Sequence, residues 1–570
     1  METPTAAKSG RPCNQTRTAS CDAIAGVLRR SLLWAALAIG LGASVTACDG
    51  GAPSKGSAPV REEIVLHRGN SGEPSSLDPH RISGIWESNI GRDLYLGLFT
   101  DAADGTPIPG AAESYSVSDD GLTYTFTMRD GHTWSDGVPV TADDFVFAFR
   151  RILDPATAAE YASLLYVLKN AAAINAGEAP LESLGARAED PGTLVLTLDY
   201  PAPFLPQLLT HQAAYPVPRH VIEDQGDDWV KAGTMVTNGA YVLGEWLPND
   251  HVRLEKNPRF YDAENVAIDR VFFYPTDDRA SAVRRFRAGE LDLNNDFPIQ
   301  QLEFLRRTRP DAVRLAPFLL SNCIFVNTQV APFDRVGVRR ALSMAIDRDV
   351  LARDIMRSGQ TPSYAFVPPE IVNYPHTAAL SFRDQSMEDR IAKARSLMAE
   401  AGYGPDNPLR VTLRHREGQD HRNVAIAIGA MWKQIHVEAE LLNTELKTHY
   451  ADLRTGNFVL ADGGWVADFN DAKNYLFLLE TKTGYLNYTN YSNPAYDALV
   501  EQADGTGDIA ERGRLLAEAE QLMLADSPVL PTFVDTSRNL VGEHVLGFVD
   551  NPDNKHPSRF LSIDETRRQR

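Results

Sequence analysis

The chain has 570 residues, 43% hydrophobic and 23% charged, with a formal net charge of -20 at pH 7. Its length calls for about two to four domains. The acidic balance argues against nucleic acid as a partner, because no Lys/Arg run reaches the density that phosphate contacts require. The four cysteines and scattered histidines form no cluster with zinc spacing, so neither a metal nor a cofactor is expected.

In chain order, Arg29-Arg30 precede an uncharged run, Ser31–Ala47, that ends in small residues before Cys48. This is the layout of a secretory signal, and the run is at the short edge for a membrane span. Val45-Thr46-Ala47-Cys48 resembles a bacterial lipobox. It implies a signal peptide over residues 1–47, a lipid on Cys48, and a Gly/Ser/Pro/Ala-rich tether over residues 48–61. Cleavage there removes Cys13 and Cys21 and leaves Cys323 without a partner, so no intramolecular disulfide is expected. It also removes five basic and two acidic residues, which leaves a charge of -23.

The folded body is expected to begin near Glu62 with a strand in EIVLHRG. Thr123–Arg129 alternates with period two and ends at the turn dipeptide Asp130-Gly131. Thr141 is positioned to cap a helix that carries Phe145, Phe149 and Ile152. Val252–Asp262 reads as a strand running into a turn. Helices are predicted over Val336–Met356, Met387–Gly404, His421–Ile435 and Glu511–Asp526. The pattern is mixed α/β, with no compositional linker inside the body.

No Gly-rich phosphate loop, GxSxG elbow or HExxH motif occurs. A binding protein is therefore expected rather than an enzyme. The segments EPSSLDPHRISGIWESNIGRDLYLGLF (Glu73–Phe99), YTFTMRDGHTWSDGVPVTADDFVFAFRRILDP (Tyr124–Pro155), TNGAYVLGEWLPNDHVRLEKNPRFYD (Thr237–Asp262), AGELDL (Ala288–Leu293) and GGWVADFN (Gly463–Asn470) resemble, in consistent order, the oligopeptide-binding lipoproteins of ABC permeases, solute-binding family 5. The resemblance implies an α/β periplasmic-binding-protein type II-like fold, two hinged lobes with an extra domain. Lobe I would comprise residues 62–88, 219–319 and 536–570, the extra domain 89–218, and the second lobe 320–535.

The resemblance also implies a ligand site. Asp468 falls on the family aspartate that takes a peptide's α-amino group, a charge-assisted contact that strengthens in a low dielectric. Gly464, Trp465, Val466 and Ala467 would pair with the peptide backbone. Glu73 and Ser75 would also pair with the peptide backbone, Asn295 and Tyr161 would face the cleft, and His421 would lie near the peptide's carboxyl end. Core packing for Trp465 and Tyr161, a solvated loop for Glu73 and Ser75, and an exposed imidazole for His421 stand as alternatives. Family cationic positions fall on Asp462 and Met356, a cleft glutamate falls on Phe325, and the two cysteines of an enteric disulfide fall on Leu320 and Val466. An acid at position 462 is expected to repel a ligand carboxylate. The implied function is a monomeric, lipid-anchored receptor on the outer side of the bacterial cytoplasmic membrane. It would deliver peptides to ABC permease transmembrane subunits. A peptide or cell-wall-peptide sensor and a secreted peptidase are the alternatives.

Overall fold

One mixed sheet of eleven strands runs through the body. The computed structural model describes residues 62–568, so the signal segment, Cys48 and the tether lie outside it. At one end of the sheet, Val65–Gly69 lies parallel to Arg270–Tyr274 and to Leu293–Asn295. At the other end, Leu409–Arg416 lies parallel to Val437–Thr444 and to the start of Leu460–Val466. Parallel neighbours need crossover connections, and the helices Gln419–Trp432 and Leu446–Arg454 supply them. Functional groups gather at the carboxyl ends of parallel strands. Gly69, Asn295, Arg416 and Val466 all stand at such ends.

Two long antiparallel strands, Val313–Val326 and Val529–Val541, join the two ends of the sheet. Their register slips between Pro317 and Ser321, opposite Val534–Thr536. A separate four-stranded antiparallel sheet holds Ala112–Val117, Thr123–Met128, Thr193–Thr197 and Ala186–Asp190. The helix Ala142–Leu153 packs on the last two of these strands. It starts where expected, because the Asp144 carboxylate accepts from the Thr141 amide at 2.8 Å and from its hydroxyl at 3.1 Å. Phe145, Phe149 and Ile152 are buried at helical spacing.

The apolar interior divides. One core combines residues between Leu66 and Leu293 with Val541, Val545, Phe548, Leu561 and Ile563. A second spans Leu319 to Phe533, and a small third surrounds Phe286, Leu305 and Leu540.

The single helix predicted over Val336–Met356 is in fact two. An α-helix covers Val336–Met344, and a wider π-type turn covers Val350–Met356. The break follows from Arg348. Its fully buried guanidinium donates to the carbonyls of Ser343, Ile346 and Ser363 at 3.0, 3.1 and 2.9 Å. A buried cation that takes helix carbonyls as acceptors draws the chain out of α-helical register.

Candidate functional site

The strand Leu460–Val466 is paired along one edge over its whole length, from Leu460 opposite Val326 to Val466 opposite Leu320. On the other edge only Leu460 and Ala461 pair, with Leu413 and Arg414. Beyond them, Gly463 to Val466 present a strand edge with no strand partner among the described residues. The two glycines allow tight packing on the paired side. A Cβ on Gly463 would come within 2.3 Å of the Phe325 ring, and one on Gly464 within 2.7 Å of the Ser321 carbonyl. Leu320 and Val466 directly face each other, as their alignment with a family disulfide implied.

After Val466 the chain turns. The Ala467 amide donates to Leu319 O at 2.9 Å, so it is already used within the fold. Asn474, 1% exposed, ties the turn together: its Oδ1 accepts from the Asp468 amide at 3.1 Å and from Trp465 Nε1 at 2.8 Å. The Trp465 ring packs edge-on against Phe477 at 5.6 Å, while Val466 is exposed. Just ahead of the short helix Lys473–Leu476, Asp471 Oδ1 accepts from the Lys473 amide at 2.9 Å. Asp468 is left with no ion pair among the described residues.

The surroundings of Asp468 are largely apolar and aromatic. The Asp468 charge raises the pKa of the partly buried Tyr161 and the fully buried Tyr475 beyond what burial does. Tyr161 in turn contacts His211 at 4.9 Å. Phe469 stacks on Phe204 with centroids 5.1 Å apart. Lys555 is the cation whose field reaches Asp468, but its ammonium is shared by Asp101 at 3.3 Å and Asp553 at 3.6 Å. Desolvation dominates and pushes the Asp468 carboxyl up to about 7, with only partial relief from Asn474 and Lys555.

Asp462, on the strand that precedes Asp468, is the opposite case. Burial works against its charge, yet Arg416 and His421 hold the carboxyl well below the usual range. Arg416 Nε lies 3.2 Å from Oδ2, the Arg416 amide 2.9 Å from Oδ1, and His421 Nδ1 3.2 Å from Oδ2. The buried His449 contacts the Asp462 carbonyl at 2.9 Å. The repulsion expected from an acid at position 462 is therefore cancelled within the protein. The cluster borders a cavity of about 30 Å³ lined by Met356, Arg416, His421, Asp462, Gly463 and Asp535. Met356 also lines a larger opening of about 490 Å³, beside Ile299 and Ile426.

The other predicted residues lie in separate settings. Glu73 Oε1 accepts from Trp246 Nε1 at 2.9 Å, and its buried Oε2 has no hydrogen-bond partner. Exposed Ser75 is fixed by Glu87, which accepts from its amide at 2.7 Å and its hydroxyl at 2.5 Å. Asn295 pairs with Asn539 across the sheet and keeps a buried, unpartnered Oδ1. Among the described residues, no hydrogen bond or ion pair links these three to Asp468. Sequence reasoning missed Asn474, Arg416 and Phe204. Only Asn474 left a signal, as the amide six residues beyond Asp468.

Residues 106–487 match the model of the bacterial extracellular solute-binding proteins, family 5 Middle. The chain belongs to this family. The family 5 chain is 36% identical to the periplasmic oligopeptide-binding protein OppA of Escherichia coli over 546 residues, covering 94% of this chain and 99% of that protein. Its fold superposes on Haemophilus influenzae OppA in complex with RPPGFSPFR with a TM-score of 0.78, at 34% identity over 88% of this chain and 99% of that one. It superposes on the Escherichia coli murein tripeptide binding protein MppA with a TM-score of 0.79, at 34% identity and the same coverage. The fold is the periplasmic-binding-protein type II fold, and the family 5 chain is a binding protein rather than an enzyme.

The Asp468 environment has a measurable cost. Between pH 4 and 7 the folded protein holds a proton on Asp468 that the unfolded chain has lost, so this group lowers stability as pH rises through that window. Asp468→Asn removes the effect. The variant should match the wild type near pH 4 and exceed it at pH 8 by about 1–2 kcal/mol, after allowance for solvent reaching the partly exposed carboxyl. Thermal unfolding at the two pH values checks this, and an equal difference at both would contradict it.

Proposed function

We propose that this protein is an extracytoplasmic receptor that binds peptides between two lobes and hands them to an ABC permease. The observation that carries the reading is the Asp468 carboxylate: among the described residues it has no ion pair, and it sits just past a strand edge that has no strand partner. A peptide supplies both missing partners. Its α-ammonium neutralises Asp468, and its backbone groups pair along Gly463–Val466. The named relatives point the same way, as one is an oligopeptide-binding protein and another was solved with a nonapeptide.

The lobes are residues 62–88, 219–319 and 536–570 on one side and 320–535 on the other, with 89–218 as the extra domain. The slip between Pro317 and Ser321, facing Val534–Thr536, supports a hinge there. Glu73, Ser75 and Asn295 belong to the cleft wall. His421 and Arg416 are engaged by Asp462, so a ligand carboxylate finds no unengaged cation in that cluster. Affinity is therefore set at the amino end. Cys48 carries the lipid, and intact-mass analysis of the protein from its native membrane should show an acylated N-terminal Cys48. An unmodified terminus, or one that still carries residues 1–47, would contradict the anchor.

Calorimetry tests the site. Asp468→Asn should weaken free-amine peptides about a hundredfold and the same peptides N-acetylated by about threefold or less. Amidated and free-acid forms should bind alike. Equal losses for free-amine and acetylated peptides would make Asp468 structural.

A further inference from the structure

Phe469 directly follows Asp468, and it is the one residue between Leu319 and Phe533 that joins the core otherwise built from residues 66–293 and 541–563. It gets there by stacking on Phe204. The rings are nearly parallel, 11° apart, and both are buried. The far side of the arrangement is Arg512. Its guanidinium lies 5.0 Å from the Phe204 centroid, and Asp471 fixes it with two hydrogen bonds of 2.8 Å. Arg512 Nε is buried without a hydrogen-bond partner, which suits a flat cation covered by an aromatic face. Tyr200, shortly before Phe204, lies within the field of Arg512, Glu480 and Asp504. The segment Asp468–Asn474 therefore carries three functions in seven residues: the unpaired acid, the ring that leaves its own core, and the acid that holds Arg512.

We infer that Phe204 is a positioning residue that latches the extra domain onto this segment and slows ligand release. The inference rests on the lobe division and peptide site proposed above. Separating residues 89–218 from residues 320–535 must unstack Phe204 from Phe469 and uncover Arg512, exposing two phenyl rings and one cation face together. Ligand and latch are coupled through the backbone, since Asp468 and Phe469 are neighbours. An empty, ionised Asp468 resists the dry, closed environment, and a ligand ammonium on it removes that resistance. Phe204 acts through Phe469 and Arg512 and need not touch the ligand.

Stopped-flow dissociation and association of a labelled peptide from wild type, Phe204→Ala and Phe204→Leu test this. Phe204→Ala should speed dissociation about tenfold while association changes by about twofold or less. Small-angle scattering of the loaded variant should show a larger radius of gyration than the loaded wild type. Phe204→Leu keeps apolar bulk without the flat stack; it should give a smaller acceleration in the same sense, and it serves if the alanine variant does not fold. An unchanged dissociation rate, or a slowed association with no change in radius, would overturn the latch. N-acetylated peptides should show the same acceleration. The latch can thus fail while Asp468 still selects free amines, or survive if that selection fails.

Discussion

A carboxylate largely removed from water, with no ion pair among the described residues, is the constraint on which the rest of this site depends. Asp468 cannot be both dry and ionised unless something cationic arrives. The structure holds it in that position at some expense. Asn474 fixes its amide and the neighbouring Trp465, while Asp471 is engaged by Arg512. Lys555, the cation whose field reaches Asp468, is already shared between Asp101 and Asp553. Asp468 is thereby left without an ion pair among the described residues.

The strand just before Asp468 shows what the alternative looks like. Asp462 is buried too, but Arg416 and His421 converge on it and its pKa falls, whereas that of Asp468 rises. Two aspartates on one stretch of chain have opposite environments. One is a finished ion pair with no charge left to offer, and the other is half of a pair. Under the peptide-binding reading proposed above, that contrast would make the amino end of a ligand the specified one.

Much of this was legible in the sequence, for identifiable reasons. The helix at Ala142–Leu153 follows from its cap and its apolar spacing, both local. Asp468 stood out because its immediate neighbours are apolar. Family resemblance then supplied the partner. What sequence could not show was set by tertiary contacts. Arg348 breaks the Val336–Met356 helix only because its guanidinium reaches inward to three carbonyls. Arg416 lies 46 positions from Asp462, and nothing in either segment announces the pair. Phe204 and Phe469 meet across 265 positions, as two ordinary aromatic residues until the fold stacks them.

The most direct test is to count protons on binding. Near pH 6 an empty Asp468 holds its proton most of the time, and a ligand ammonium should drive it off. Titrating a free-amine peptide at pH 6 in buffers of different ionisation enthalpy should therefore show release of most of one proton per ligand, absent in Asp468→Asn; by pH 8 it should give way to uptake, as the half-neutral peptide amine is protonated on binding. Binding with no proton release at pH 6, or the same release from the Asn variant, would mean that the ligand's charge is met somewhere else.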